Sequence, residues 1–190
     1  MRSSCEMAAA RISDESVLRA RGAIRSRALE FLRVLGAVEQ SLLRSGGNRR
    51  LARALALLEL AYLPLRPEMC PFCIEYADER CSECGYAETH GGICSNNNSR
   101  FVQLTDAIID LGTAIKFSDL DDMEDDNLKS SISMARRTTD ALLSELDALD
   151  ASGLMRAKAW YIKEILRALP VRGSLDPLRR DCISRAELYW

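Results

Sequence analysis

Apolar residues recur every three or four positions along most of this chain. From Ile24 they fall at Ala28, Phe31, Leu35, Val38 and Leu42, a row that lines one face of a helix of about 30 residues. Ser13 supplies a cap, with Asp14 and Glu15 in the first turn, and Gly46-Gly47 ends the element. A second row, Leu51, Leu55, Leu58 and Tyr62, stops at Pro64 and Pro67, where the chain must leave helical geometry. Phe101, Leu104, Ile108, Leu111 and Ile115 mark a third helix, and Leu128, Ile132, Ala135, Thr139, Leu142, Leu146 and Leu149 a fourth. The break from Asp150 to Gly153 precedes a fifth around Trp160, Ile165 and Leu169, and Asp176-Pro177 caps a short last one. The period-two alternation of strands is absent; only the cysteine-rich segment has room for a short hairpin.

These rows predict an all-α fold, an antiparallel up-and-down bundle of five or six helices. The first row and the Leu128–Leu149 row are long enough for coiled-coil-like packing, most simply within one chain. Residues 1–190 read as one helical domain, with residues 68–95 inserted between the second and third helices. At 190 residues such a domain buries roughly 70% of its unfolded surface. The apolar runs fall far short of the roughly 20 residues that span a bilayer, and Met1–Ile12 lacks the pattern of a signal peptide. The expectation is a cytoplasmic protein with no membrane partner.

Charge is unevenly distributed. The net charge of −2 conceals +6 over residues 1–66, −12 over 67–150 and +4 over 151–190. Complementarity within the fold is the simplest use of that pattern; a dimer or a separate partner is the alternative. Asp119 to Asp126 holds six carboxylates in eight residues but lacks the glycine of a calcium loop, so it reads as a solvated linker leading into a helix.

Chemistry concentrates in one place. Cys70-Pro-Phe-Cys73, Cys81-Ser-Glu-Cys84 and Cys94 lie within twenty-five residues, together with His90, the sole histidine. Paired Cys-x2-Cys turns aim two sulfurs at one ion, and two pairs complete the tetrahedron of structural Zn²⁺. The expected ligands are Cys70, Cys73, Cys81 and Cys84, with Cys94 and His90 as possible substitutes. Gly85, after the second pair, permits the positive φ that often lets backbone amides reach the sulfur. Cys81, Cys84, His90 and Cys94 also resemble the retroviral zinc knuckle in length, ligand order and the following glycine. Their spacings are x2, x5, x3 where the knuckle has x2, x4, x4, and Glu83 and Glu88 stand where a knuckle carries basic residues.

Iron in a rubredoxin-like site and a pair of disulfides remain alternatives to zinc. A di-iron bundle is excluded, since Glu-x-x-His pairs need more than one histidine. A thioredoxin-type dithiol would need a βαβ context. Four thiolates leave zinc no open position and make it a poor Lewis acid, so the metal should hold shape. The functional expectation is a non-enzymatic interaction or regulatory protein, its metal site shaping a surface for a protein partner or a second copy, without an organic cofactor. One alternative is nucleic-acid binding through Arg19, Arg21, Arg25 and Arg27 on the first helix. Another is a metal-dependent hydrolase assembled from Asp106, Asp110 and the acidic run. Cys182 reads as a packing residue, and Tyr189-Trp190 as a pair that docks on the bundle or another subunit.

Overall fold

A computed structural model describes residues 4–45, 49–77, 80–118 and 125–190. Among them the regular structure is helical throughout, without a strand. Six long helices form the frame: α2 (Asp14–Ser45), α3 (Arg49–Ala61), α6 (Arg100–Phe117), α7 (Asp125–Glu145), α8 (Ala151–Ala168) and α9 (Asp176–Leu188). Three short ones complete it: α1 (Ser4–Ala9), α4 (Pro71–Glu75) and α5 (Gly85–Thr89). The segment with room for a hairpin instead forms α4, α5 and two 3-10 turns, Pro67–Met69 and Arg80–Glu83.

The three-four rows become buried faces. Ile24, Phe31, Leu35 and Leu42 of α2 lie in the same core as Leu128, Ile132, Ala135 and Leu142 of α7, so the two longest rows pack together within one chain. Ser13 caps α2 by accepting from the Ser16 amide at 3.3 Å. Asp150 caps α8 by accepting from the Gly153 amide at 2.6 Å, and Ser99 caps α6 through the Phe101 amide at 3.2 Å. At α9 the cap position is Leu175, and Asp176 is already the first helical residue ahead of Pro177.

Helix α8 is the hub. It packs on α7, α9, α3, α2 and α1, and α9 in turn packs on α6. Its buried face runs Leu154, Met155, Lys158, Tyr161, Ile162, Ile165, which leaves Trp160 40% exposed. In α3 the buried face is Ala52, Leu55, Ala56, Glu59 and Leu60, one step round from the expected row. Five leucines spread over that helix make its apolar side ambiguous by period alone.

The segment between α3 and α6 is not an appendage. Met69, Phe72 and Tyr86 belong to the common core, α4 packs on α2, and α5 packs on α1. The Ser13 backbone amide donates to the Glu75 carboxylate at 3.0 Å, tying α4 to the start of α2. Gly85 begins α5 without a positive φ. Its role is close approach instead, since a Cβ there would meet Ala8 Cβ at 2.6 Å.

Candidate metal centre at the cysteine segment

The chain brings Cys70 and Cys73 to the two ends of one helical turn. Cys70 is the N-cap of α4, Pro71 occupies the first helical position, and the Ile74 amide closes the turn on the Cys70 carbonyl at 3.1 Å. Cys84 is likewise the N-cap of α5. Cys94 arrives on a loop reversed by Gly91 (φ 87°) and Gly92 (φ 132°). Arg100 N–H to His90 O at 3.0 Å and Asn96 N–H to Ile93 O at 2.8 Å hold that loop.

Cys70, Cys73 and Cys94 line one small cavity together with Lys158 and Tyr189, near enough for each thiol to influence the ionisation of the next. The neighbouring Cys73 and burial push the Cys70 thiol well up. Cys73 is pulled down by Cys70 but raised by Cys94 and by burial, reaching about 12. Cys94 is held below the ordinary thiol value by Cys73. Cys84 is raised by burial and senses the charges of Cys70 and Cys81. Cys70 and Cys84 are buried, Cys73 and Cys94 half-buried, and Cys81 stands exposed; all seven thiols are free.

Among the described residues no three His, Cys, Asp or Glu side chains are grouped so as to hold a metal ion.

His90 belongs to a different environment. Its ring is fully buried and stacked on Tyr86, centroids 4.1 Å apart, and on Trp190, 5.1 Å apart. Nδ1 lies 2.6 Å from Thr89 Oγ1, and Nε2 lies 3.9 Å from Cys5 Sγ. Burial lowers its pKa to about 4, so the ring is neutral. The Tyr189-Trp190 pair docks within the chain, on this same aromatic group with Phe72 and Tyr86.

The residue that sequence reading missed is Lys158. Its side chain is fully buried at 0% exposure. Nζ donates to the Met69 carbonyl at 2.9 Å and sits 5.6 Å from the Tyr189 ring centroid. Burial lowers its pKa, while Cys70, Cys73 and Cys94 act to raise it. No carboxylate among the described residues pairs with it. The signal was available: Lys158 falls in step with Leu154, Ile162 and Ile165, where a lysine breaks the apolar row.

The other candidates lie apart. Arg21 donates to the Leu149 carbonyl, Arg25 pairs with Asp147, and Arg27 donates to the Ala61 carbonyl at 2.6 Å and stacks on Tyr62. Arg19 is exposed. Asp106 and Asp110 are exposed on α6, close enough to Arg185 and Cys182 of α9 for Asp106 to act on the first and Asp110 on the second. Residues 119–124 of the acidic run lie outside the described residues; Asp126, in the first turn of α7, pairs with Lys129 at 3.3 Å. No helix among the described residues is long and apolar enough to cross a membrane. No known protein family, curated protein or solved structure matches the chain.

Proposed function

We propose that this protein is a non-enzymatic interaction or regulatory module whose segment 68–95 is closed by a structural Zn²⁺ on Cys70, Cys73, Cys84 and Cys94. One observation carries the reading: Lys158 is fully buried and lines one cavity with Cys70, Cys73 and Cys94, with no carboxylate partner among the described residues. A buried ammonium is strongly unfavourable unless an anion compensates it. Four thiolates around Zn²⁺ carry a net charge of −2, and a single lysine beside them offsets part of it.

The ligand set differs from the paired-turn expectation in one member. Cys94 lines the same cavity as Cys70 and Cys73, whereas Cys81 is exposed, so Cys94 takes the place of Cys81. His90 is committed to the aromatic stack and to Thr89. The metal fixes the outer faces of α4 and α5 as a surface for a protein partner or a second copy. Free thiols and a thiolate-bound metal suit the reducing cytoplasm. The nucleic-acid alternative gains no support, because Arg21, Arg25 and Arg27 bind within the fold. For a hydrolase at Asp106 and Asp110, Asp106 lies near Arg185 of α9, and among the described residues no third ligand side chain joins them to hold a metal ion.

Single serine variants test the ligand set. Cys70→Ser, Cys73→Ser, Cys84→Ser and Cys94→Ser should each lose bound zinc, while Cys81→Ser retains it. Zinc retained in Cys94→Ser and lost in Cys81→Ser would restore the four paired cysteines.

A further inference from the structure

The positive charge of the C-terminal stretch is not balanced within the fold. Residues 151–190 carry +4, and their four carboxylates all pair with cations of the same stretch. Glu164 holds Arg167 and Asp176 holds Arg179, both at 2.6 Å. Asp181 pairs with Arg185 at 2.8 Å and Glu187 with Lys163 at 3.8 Å. Of the cations left over, Arg156 lies 3.9 Å from Glu6, and Lys158 is buried at the cysteine segment. Arg172 and Arg180 are exposed, and neither has a carboxylate partner among the described residues.

Arg172 lines an open cleft of about 580 Å³ between the start of α7 and the turn that joins α8 to α9. Arg167 and Arg179 line it too, with Asn127, Ser130 and Asp176. Three guanidiniums against one carboxylate leave the lining at +2, or +1 with Glu164 included. Arg172 donates to the Asn127 side-chain oxygen, a neutral acceptor, which leaves the Asn127 amide nitrogen as a donor. Arg179 gives one N–H to Asp176, but its Nε is buried and has no acceptor among the described residues. A buried donor without an acceptor is unfavourable, so this guanidinium lacks an acceptor that the described residues do not supply.

Chemistry narrows the ligand. A carboxylate has two oxygens in one plane, which a single arginine fork fills. Here the donors come from α7, from α8, from the turn after it and from α9. A phosphate monoester offers three terminal oxygens and a charge of about −2 at pH 7, which suits both the spread of donors and their charge. The cleft is larger than a phosphate needs and falls within the roughly 300–1,000 Å³ of small-molecule sites, leaving room for an organic body.

We propose that this cleft binds a phosphorylated small molecule, its phosphate held by Arg172 and Arg179 and completed by Ser130 and Asn127. A rise of 1.5 Å per residue puts Arg167 roughly 13 Å along α8 from Lys158, so the site stands apart from the proposed zinc.

Calorimetric titration of the full chain at fixed ionic strength in chloride tests it. The probes are ribose 5-phosphate, inorganic phosphate, ribose, and a short single-stranded RNA without a terminal phosphate. One saturable site per chain is expected for ribose 5-phosphate, a weaker one for inorganic phosphate and none for ribose. Arg172→Gln and Arg179→Gln should each weaken binding by about tenfold or more, the loss of a hydrogen bond to a charged group. Arg180→Gln, outside the lining, should leave binding unchanged. Arg172 is exposed, so its replacement decides even if Arg179→Gln fails to fold. No saturable binding by either phosphate, or an equal loss in Arg180→Gln, would overturn the proposal. Tighter binding of inorganic phosphate than of ribose 5-phosphate would replace the monoester with the free ion. Preference for the RNA would replace it with a nucleic-acid surface.

Discussion

Two fully buried ionisable groups, Glu59 and Lys158, sit in different regions and are accommodated in opposite ways. Glu59 lies among helices α3, α7 and α8, where Ser131 Oγ donates to Oε1 at 2.9 Å and Oε2 has no hydrogen-bond partner among the described residues. Burial pushes its pKa up to about 8, against the lowering effect of Ser131. It stays neutral by keeping its proton. Lys158 lies at the cysteine segment, where burial lowers its pKa and Cys70, Cys73 and Cys94 act to raise it. The bundle side keeps its buried acid neutral; on the sulfur side the proposed zinc–thiolate site would give the buried base a counter-charge.

The largest expected effect breaks the bundle half of that contrast. The unfolded Glu59 carboxyl ionises near 4.5 and the folded one near 8. Its folded pKa is raised, so wild-type stability falls as pH rises between those values and levels off above them. Glu59→Gln removes that fall and should be more stable than wild type at pH 9 by a few kcal/mol, at about 1.4 kcal/mol per pH unit. Chemical denaturation at pH 5 and pH 9 reads it; equal pH dependence in both proteins would show that Glu59 is not held neutral.

Next comes the sulfur half. Lys158→Met keeps the length of the side chain and removes its charge. Zinc affinity should drop ten- to a hundredfold, as for other partners behind metal ligands, with helical content unchanged. Unchanged affinity in a chelator competition would remove Lys158 from the site.

The smallest effects compare a loop glycine with a helical one. A Cβ at Gly91 would lie 2.5 Å from the Asn98 carbonyl oxygen, at φ +87°, so Gly91→Ala should destabilise by on the order of 1–3 kcal/mol. A Cβ at Gly22 meets nothing within 4 Å, so Gly22→Ala should stabilise α2 by roughly 0.5–1 kcal/mol. Thermal melts of the two variants should move in opposite directions.

The frame was legible because long rows at three-four spacing leave little choice of face. The Phe31 row and the Leu128 row lie in the core as their spacing requires. Shorter or richer segments were not legible. Helix α1 has six residues, too few for a period, and in α3 leucines on several sides hid the fact that Glu59 faces inward. Trp160 faces partly outward because Lys158 takes the inward position on α8.

At the cysteines, spacing pointed to pairs, but tertiary folding decides which of them share a cavity. Cys94 joins Cys70 and Cys73 there by way of two glycines in positive φ that local spacing alone does not weigh. His90, attractive as a ligand on paper, is captured by Tyr86 and Trp190, the latter a hundred positions along the chain.

The proposed zinc on Cys70, Cys73, Cys84 and Cys94, beside Lys158, is read out by elemental analysis of the purified full chain, paired with a count of alkylatable thiols under native conditions. The expected result is one zinc per chain and four protected thiols that become reactive on chelation, with the helical signal of the bundle preserved. Zinc-free protein with all seven thiols reactive, or with two disulfides, would contradict it.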